Sequence, residues 1–120
     1  MKVAFLSIDE DGNKVHFTSQ CETNENKIVF ADQSSDKTII EIENLKDKLI
    51  FKRIGTINMQ MSFQNQKTTE GFYANDLGLE FKFLIYCHKL TKNDKRIVID
   101  YDLILNEEEK HRHKISLLFN

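Results

Sequence analysis

From Lys48 to Phe63 the chain reads KLIFKRIGTINMQMSF, two stretches of alternating apolar and polar residues folded about Gly55. In the second stretch Ile57, Met59, Met61 and Phe63 share one phase, and Thr56, Asn58, Gln60 and Ser62 share the other. Successive side chains of a β-strand point to opposite faces, so this spacing predicts a strand with one core face and one wet face. In the first stretch Leu49, Phe51 and Arg53 are in phase, which sets a guanidinium on the core-facing side.

The same period runs through most of the chain. Val3, Phe5 and Ser7 alternate with Ala4, Leu6 and Ile8, a first strand with apolar groups on both faces. The Asp9–Asn13 segment holds an Asp-Gly pair, the signal of a tight hairpin. Val15, Phe17, Ser19 and Cys21 form the inner face of a second strand, followed by a polar loop from Glu22 to Asn26. Lys27–Ala31 is a short third strand, and Asp32 to Asp36 a turn by composition. Lys37–Asn44 is expected to be a fourth strand. Ile42, Leu45 and Leu49 also fall at helical spacing, but a helix there would have to exclude the β-branched Thr38-Ile39-Ile40 run. After Phe63 come Lys67–Asn75, with Gly71 marking a bulge or bend, and Leu79–Cys87, the longest apolar alternation. Thr91–Asp94 reads as loop, Ile97–Leu105 as a strand with Asp100 and Asp102 on its outer phase, and Ile115–Phe119 as the last strand.

About eight to ten strands joined by short loops, with no convincing helix, predict a single all-β domain over residues 1–120. Short connections favour antiparallel neighbours, and a meander of this length removes its edges by closing into an up-and-down barrel. A two-sheet sandwich is the alternative. Hydrophobic residues make up 40% of the chain, charged residues 30%, and the formal net charge is −2. That balance suits a globular domain and argues against a nucleic-acid binder, which carries a basic excess on one face. No apolar run is long enough to span a bilayer as a helix, so no membrane role is expected. The segment MKVAFLSIDEDGNK lacks the features of a signal peptide and reads as the first strand of a cytoplasmic protein. Cys21 and Cys87 form no close-spaced pair and are expected to be reduced core residues.

From Lys37 onward the order of several pieces resembles the YwiB-like family of small bacterial proteins. The pieces are Arg53-Ile54-Gly55, Met59-Gln60-Met61-Ser62-Phe63, Gly71-Phe72-Tyr73, the Gly78 turn, and Ile99-Asp100-Tyr101-Asp102-Leu103. The family's Tyr-x-Thr-Pro-Tyr-Gly turn stands here as Tyr73-Ala74-Asn75-Asp76-Leu77-Gly78, without its Thr, Pro and second Tyr, so no role of that turn carries over. The resemblance implies a calycin-like barrel, the architecture of lipocalins and fatty-acid-binding proteins. It implies no activity, because the family is a domain of unknown function.

Arg53 carries the candidate chemistry. A guanidinium on an inward phase must meet a carboxylate, carbonyls or a ligand anion. One reading makes it the grip for a small, partly apolar anion, with hydroxyls from Tyr73 and Tyr101 and an apolar lining of Met59, Met61 and Phe83. The other places it at a barrel end, paired with an acidic residue, while the methionines and phenylalanines pack the core. His111-Arg112-His113 presents two imidazoles on one strand face, yet nothing fixes a third ligand, and no metal is expected. No cofactor loop or catalytic motif is present, so no catalytic residue is assigned. The rival function is a filled barrel acting through its surface as a protein-interaction or homodimerisation module. Leu6, Ile8, Ile50, Ile54, Leu84 and Tyr86 would form its apolar patch.

Overall fold

A computed structural model describes residues 1–120. The chain forms β1 (Lys2–Asp9), β2 (Lys14–Asn24), β3 (Lys27–Ala31), β4 (Ile39–Asn44), β5 (Leu49–Ile54), β6 (Ile57–Phe63), β7 (Thr68–Asn75), β8 (Glu80–Lys92), β9 (Arg96–Ile104) and β10 (Lys110–Phe119). Each strand pairs antiparallel with its neighbour in sequence, and β1 also pairs with β10 from Val3 opposite Phe119 to Asp9 opposite His113. That last ladder closes a ten-stranded antiparallel barrel, the up-and-down arrangement expected from the alternation. Closure leaves no strand with a free row of backbone donors and acceptors. The segment around Ile42 is strand and not helix, as its β-branched residues require.

Nine of the ten strands supply one core of 19 buried residues, and β7 adds the partly buried Tyr73 packed against it. Phenylalanine fills most of the space that a tryptophan would otherwise take. Phe5 stacks on Phe17 at 4.9 Å, and Phe63 meets Tyr101 across the barrel at 4.8 Å. Each such side chain, fully buried, contributes roughly 1.5–3 kcal/mol to folding before the entropy of ordering it is subtracted.

Three local departures shape the wall. The second strand runs on to Asn24, beyond the Cys21 at which its apolar alternation ends. Strand β8 runs through to Lys92 because a bulge restores its phase. Cys87 faces Tyr101 and Lys89 faces Asp100, so His88 is the unpaired extra residue, and Leu90 returns to the inner side. In β7, Gly71 lies against the Phe83 ring, where an added Cβ would come within 2.4 Å of a ring carbon. The β6–β7 ladder stops just before it, at Gln60 opposite Phe72, and the Thr69 hydroxyl donates to the Ser62 carbonyl in place of a backbone bond.

The barrel has two unlike ends. The turns β1–β2, β3–β4, β5–β6, β7–β8 and β9–β10 gather at one, here termed the Gly55 end; the chain termini and the remaining turns gather at the other. At the Gly55 end the β3–β4 loop presses on the β5–β6 turn so closely that a Cβ at Gly55 would lie 2.7 Å from Thr38 Oγ1. No helix of the molecule is long and apolar enough to cross a membrane.

Candidate functional site

Burial along the inner face fades towards the Gly55 end. In the middle of the barrel Phe51, Met61, Phe83 and Ile85 are at most 5% exposed. Closer to the Gly55 end, on the same inward phases, Val15, Ile57 and Phe81 are 38–40% exposed. Side chains that point inward yet remain accessible define a mouth, with the packed core as its floor.

One continuous row crosses the wall of this mouth. Arg53 stands opposite Met59, Met59 opposite Tyr73, and Tyr73 opposite Phe81. Arg53, Met59 and Tyr73 are half-buried, and Tyr73 stacks on Phe81 with centroids 4.8 Å apart. Of the six residues the sequence suggested, these three share the row. Met61, Phe83 and Tyr101 are buried at 4–5% exposure and form the floor beneath. Tyr101 stacks on His113 at 5.6 Å. Burial pushes the Tyr101 phenol up, and the Arg53 charge opposes that shift, so the two groups act on each other within one interior.

Arg53 is not alone. Its Nη2 lies 2.8 Å from Asp32 Oδ2, with the Asp32 side chain 0% and the Arg53 side chain 29% exposed. The contact is off the hydrogen-bonding line: Oδ2 receives no aligned donor, and the buried Nε of Arg53 finds no acceptor. Asp32 Oδ1 is better served, accepting from the Ser34 backbone N–H at 2.9 Å and from the Ser34 hydroxyl. Asp32 follows directly on β3 and begins a loop whose other residues, up to Lys37, are exposed. In the sequence it is one polar residue of a turn, and nothing in the local pattern marks it as buried.

A second polar cluster lies on the outer wall of β8, β9 and β10. Asp102, on the outer phase, is nonetheless only 6% exposed. The bulged His88 covers it, with Nε2 2.8 Å from Asp102 Oδ2, and Tyr86 meets the imidazole edge-on at 4.8 Å. Lys110 adds a charge at 3.9 Å. Beside it Arg112 closes a two-bond fork on Asp100, Nε to Oδ1 at 2.7 Å and Nη2 to Oδ2 at 3.1 Å, and this holds the Asp100 carboxyl below its ordinary range. The outer phase of these aspartates was legible; the cover over Asp102 was not, because it depends on a bulge.

His111 and His113 share a strand face but serve separate contacts. His111 bonds Glu10 at 2.6 Å and Glu109 at 3.1 Å, whereas His113 leans on Tyr101. No three His, Cys, Asp or Glu side chains converge as a metal would need. Cys21 and Cys87 are buried and unpaired, and burial raises the Cys87 thiol to about 11, outside the range of a reactive thiolate. A surface cleft of about 670 Å3 lies at the terminal end and is bordered by Met1, Ile28, Leu45, Lys92, Ile97 and Phe119 among others. None of the six suggested residues lines it.

The model of a protein family described as a domain of unknown function, DUF1934, matches residues 4–117. Among solved structures, the crystal structure of ywiB protein from Bacillus subtilis superposes with a TM-score of 0.67 at 16% identity, covering 99% of this chain and 90% of that chain. At that identity the likeness shows the fold alone, a barrel of the same kind. No curated protein matches the chain.

Proposed function

The chain belongs to the DUF1934 family, and we propose that it is a binding module whose ligand sits in the mouth at the Gly55 end rather than in a central cavity. The ligand is a small, partly apolar anion. Its charged head meets Arg53, aided by the hydroxyls of Tyr73 and Tyr101, and its apolar part lies over Met59, Tyr73 and Phe81, with Met61 and Phe83 as the floor.

The inward-facing row from Arg53 to Phe81 carries this reading. It joins one cation to three large apolar or aromatic side chains, all left accessible, on a wall whose next layer is closed. Sites for small ligands combine an apolar lining with a few placed polar groups in this way. The test is a fluorescence titration with dansyl-labelled undecanoic acid. Wild-type protein is expected to bind one equivalent saturably and the methyl ester more weakly, and Arg53→Met is expected to lose at least about tenfold in affinity. Absence of saturable binding by the folded wild-type protein would overturn the reading.

One observation favours a second reading. The middle of the barrel is filled, and apolar residues stand exposed on its outside: the facing pair Ile39 and Ile54 at 46% each, Leu84 at 45% and Leu118 at 56%. Of the outer residues the sequence suggested, Leu6, Ile8, Ile50 and Tyr86 are half-buried, and Ile54 and Leu84 are exposed. A surface-acting module would sediment as a dimer without ligand, and Ile54→Lys would return it to a monomer.

A further inference from the structure

Arg53 and Arg112 each meet one aspartate, with unequal results. Arg112 uses its Nε and Nη2 together and closes a fork on Asp100. Arg53 brings only Nη2 to Asp32, at 2.8 Å, and leaves Nε idle. The cause is visible at the other carboxylate oxygen. Ser34 holds Asp32 Oδ1 through its backbone N–H and its hydroxyl, which fixes the plane of the carboxylate and keeps it from turning square onto the guanidinium. A buried donor and a buried acceptor therefore stay short of partners, each at a cost of about 1–3 kcal/mol. Buried polar groups are satisfied in the great majority of cases, so an exception beside a half-open mouth asks for a reason.

We infer that the ligand's head group is a carboxylate that takes the Nε–Nη2 edge of Arg53 as a two-bond fork, and that Asp32 is a built-in competitor for that edge. The inference rests on the mouth being the binding site, as proposed above. Asp32 already shows which chemistry this seat accepts, since its own carboxylate occupies part of it. A free carboxylate, unlike Asp32, is not tethered by Ser34 and can lie in the guanidinium plane, the geometry that makes Arg–carboxylate pairs strong. On its arrival Asp32 gives up Nη2, and the exposed Gln33–Lys37 segment beside it offers the displaced charge a way to water. Affinity is thus set by a difference between the strength of the new fork and the strength of the Asp32–Arg53 pair that it replaces. Removing the charge of Asp32 weakens the pair and leaves the fork intact.

The experiment compares Asp32→Asn, Ser34→Ala and Arg53→Met with wild-type protein in the dansyl-undecanoic acid titration, after circular dichroism has shown each to be folded. Asp32→Asn is expected to bind about tenfold more tightly, since it deletes a competing charged partner while leaving Arg53 in place. Ser34→Ala, which only loosens the hold on Asp32, is expected to move affinity the same way by a smaller factor, and it decides the matter if Asp32→Asn does not fold. Equal or weaker binding by these variants, with binding still weakened in Arg53→Met, would overturn Asp32 as a competitor and leave the mouth as the site. No binding by wild type or any variant would overturn both.

Discussion

His111 and His113 stand two residues apart on β10, and their surroundings push their pKa values in opposite directions. Hydrogen bonds that His111 donates to Glu10 and then to Glu109 raise it above the ordinary 6.5, whereas burial lowers His113 below it despite the charges of Asp9 and Glu10. A raised histidine binds protons more readily folded than unfolded, so its contribution is complete below 6.5 and is lost as pH rises through its folded value. A lowered histidine is the reverse: its contribution is complete above 6.5 and is lost as pH falls through that value towards the folded one. In wild-type protein the two slopes oppose each other. Between about pH 5.5 and 8 we expect His113→Phe to melt at progressively lower temperature as pH rises, and His111→Gln to melt lower as pH falls. Parallel melting profiles for the two variants would contradict the assignment. At this scale the sequence was a partial guide. Arg53 stood out because charge and phase disagreed, while Asp32 did not, because an acid in a Gln-Ser-Ser-Asp turn has the composition of a solvated loop. Its burial comes from Arg53 and from the loop folding back, both of them tertiary facts.

Strands with a clean period of two were the legible elements. β6 shows why: four apolar residues in phase leave only one way to face a core, and the register with β5 follows from that choice. Where the period fails, the strand is longer than its pattern. Beyond Cys87 the alternation of β8 slips by one, which looks like the end of a strand but is a bulge at His88 with four more residues beyond it. The bulge has a second consequence, since His88 lands on the buried Asp102 and supplies its closest partner. Replacing His88 with alanine strips that partner and leaves a covered carboxylate with Lys110 alone. We expect a loss of about 1–3 kcal/mol in urea denaturation, and a smaller loss when the same change is made in an Asp102→Ala background. Equal losses in the two backgrounds would show that the His88–Asp102 bond carries no energy of its own.

Across the whole molecule, closure and the burial gradient belong together. Ten strands closed without an edge enclose a space filled by six buried phenylalanines and the branched aliphatics. Closure was foreseeable from strand number and short connections; which end would stay open was not, since it depends on where each strand stops relative to its neighbours. The three methionines mark that geography. Met59 lies in the row at the mouth, Met61 one layer below it, and Met1 on the cleft at the opposite end. Protein labelled with 13C at the methionine methyls therefore gives one signal from each place. On titration with dansyl-undecanoic acid we expect the Met59 methyl resonance to move furthest, Met61 to follow weakly, and Met1 to stay where it is. Movement of Met1 with Met59 unchanged would put the ligand at the terminal end and contradict the central claim.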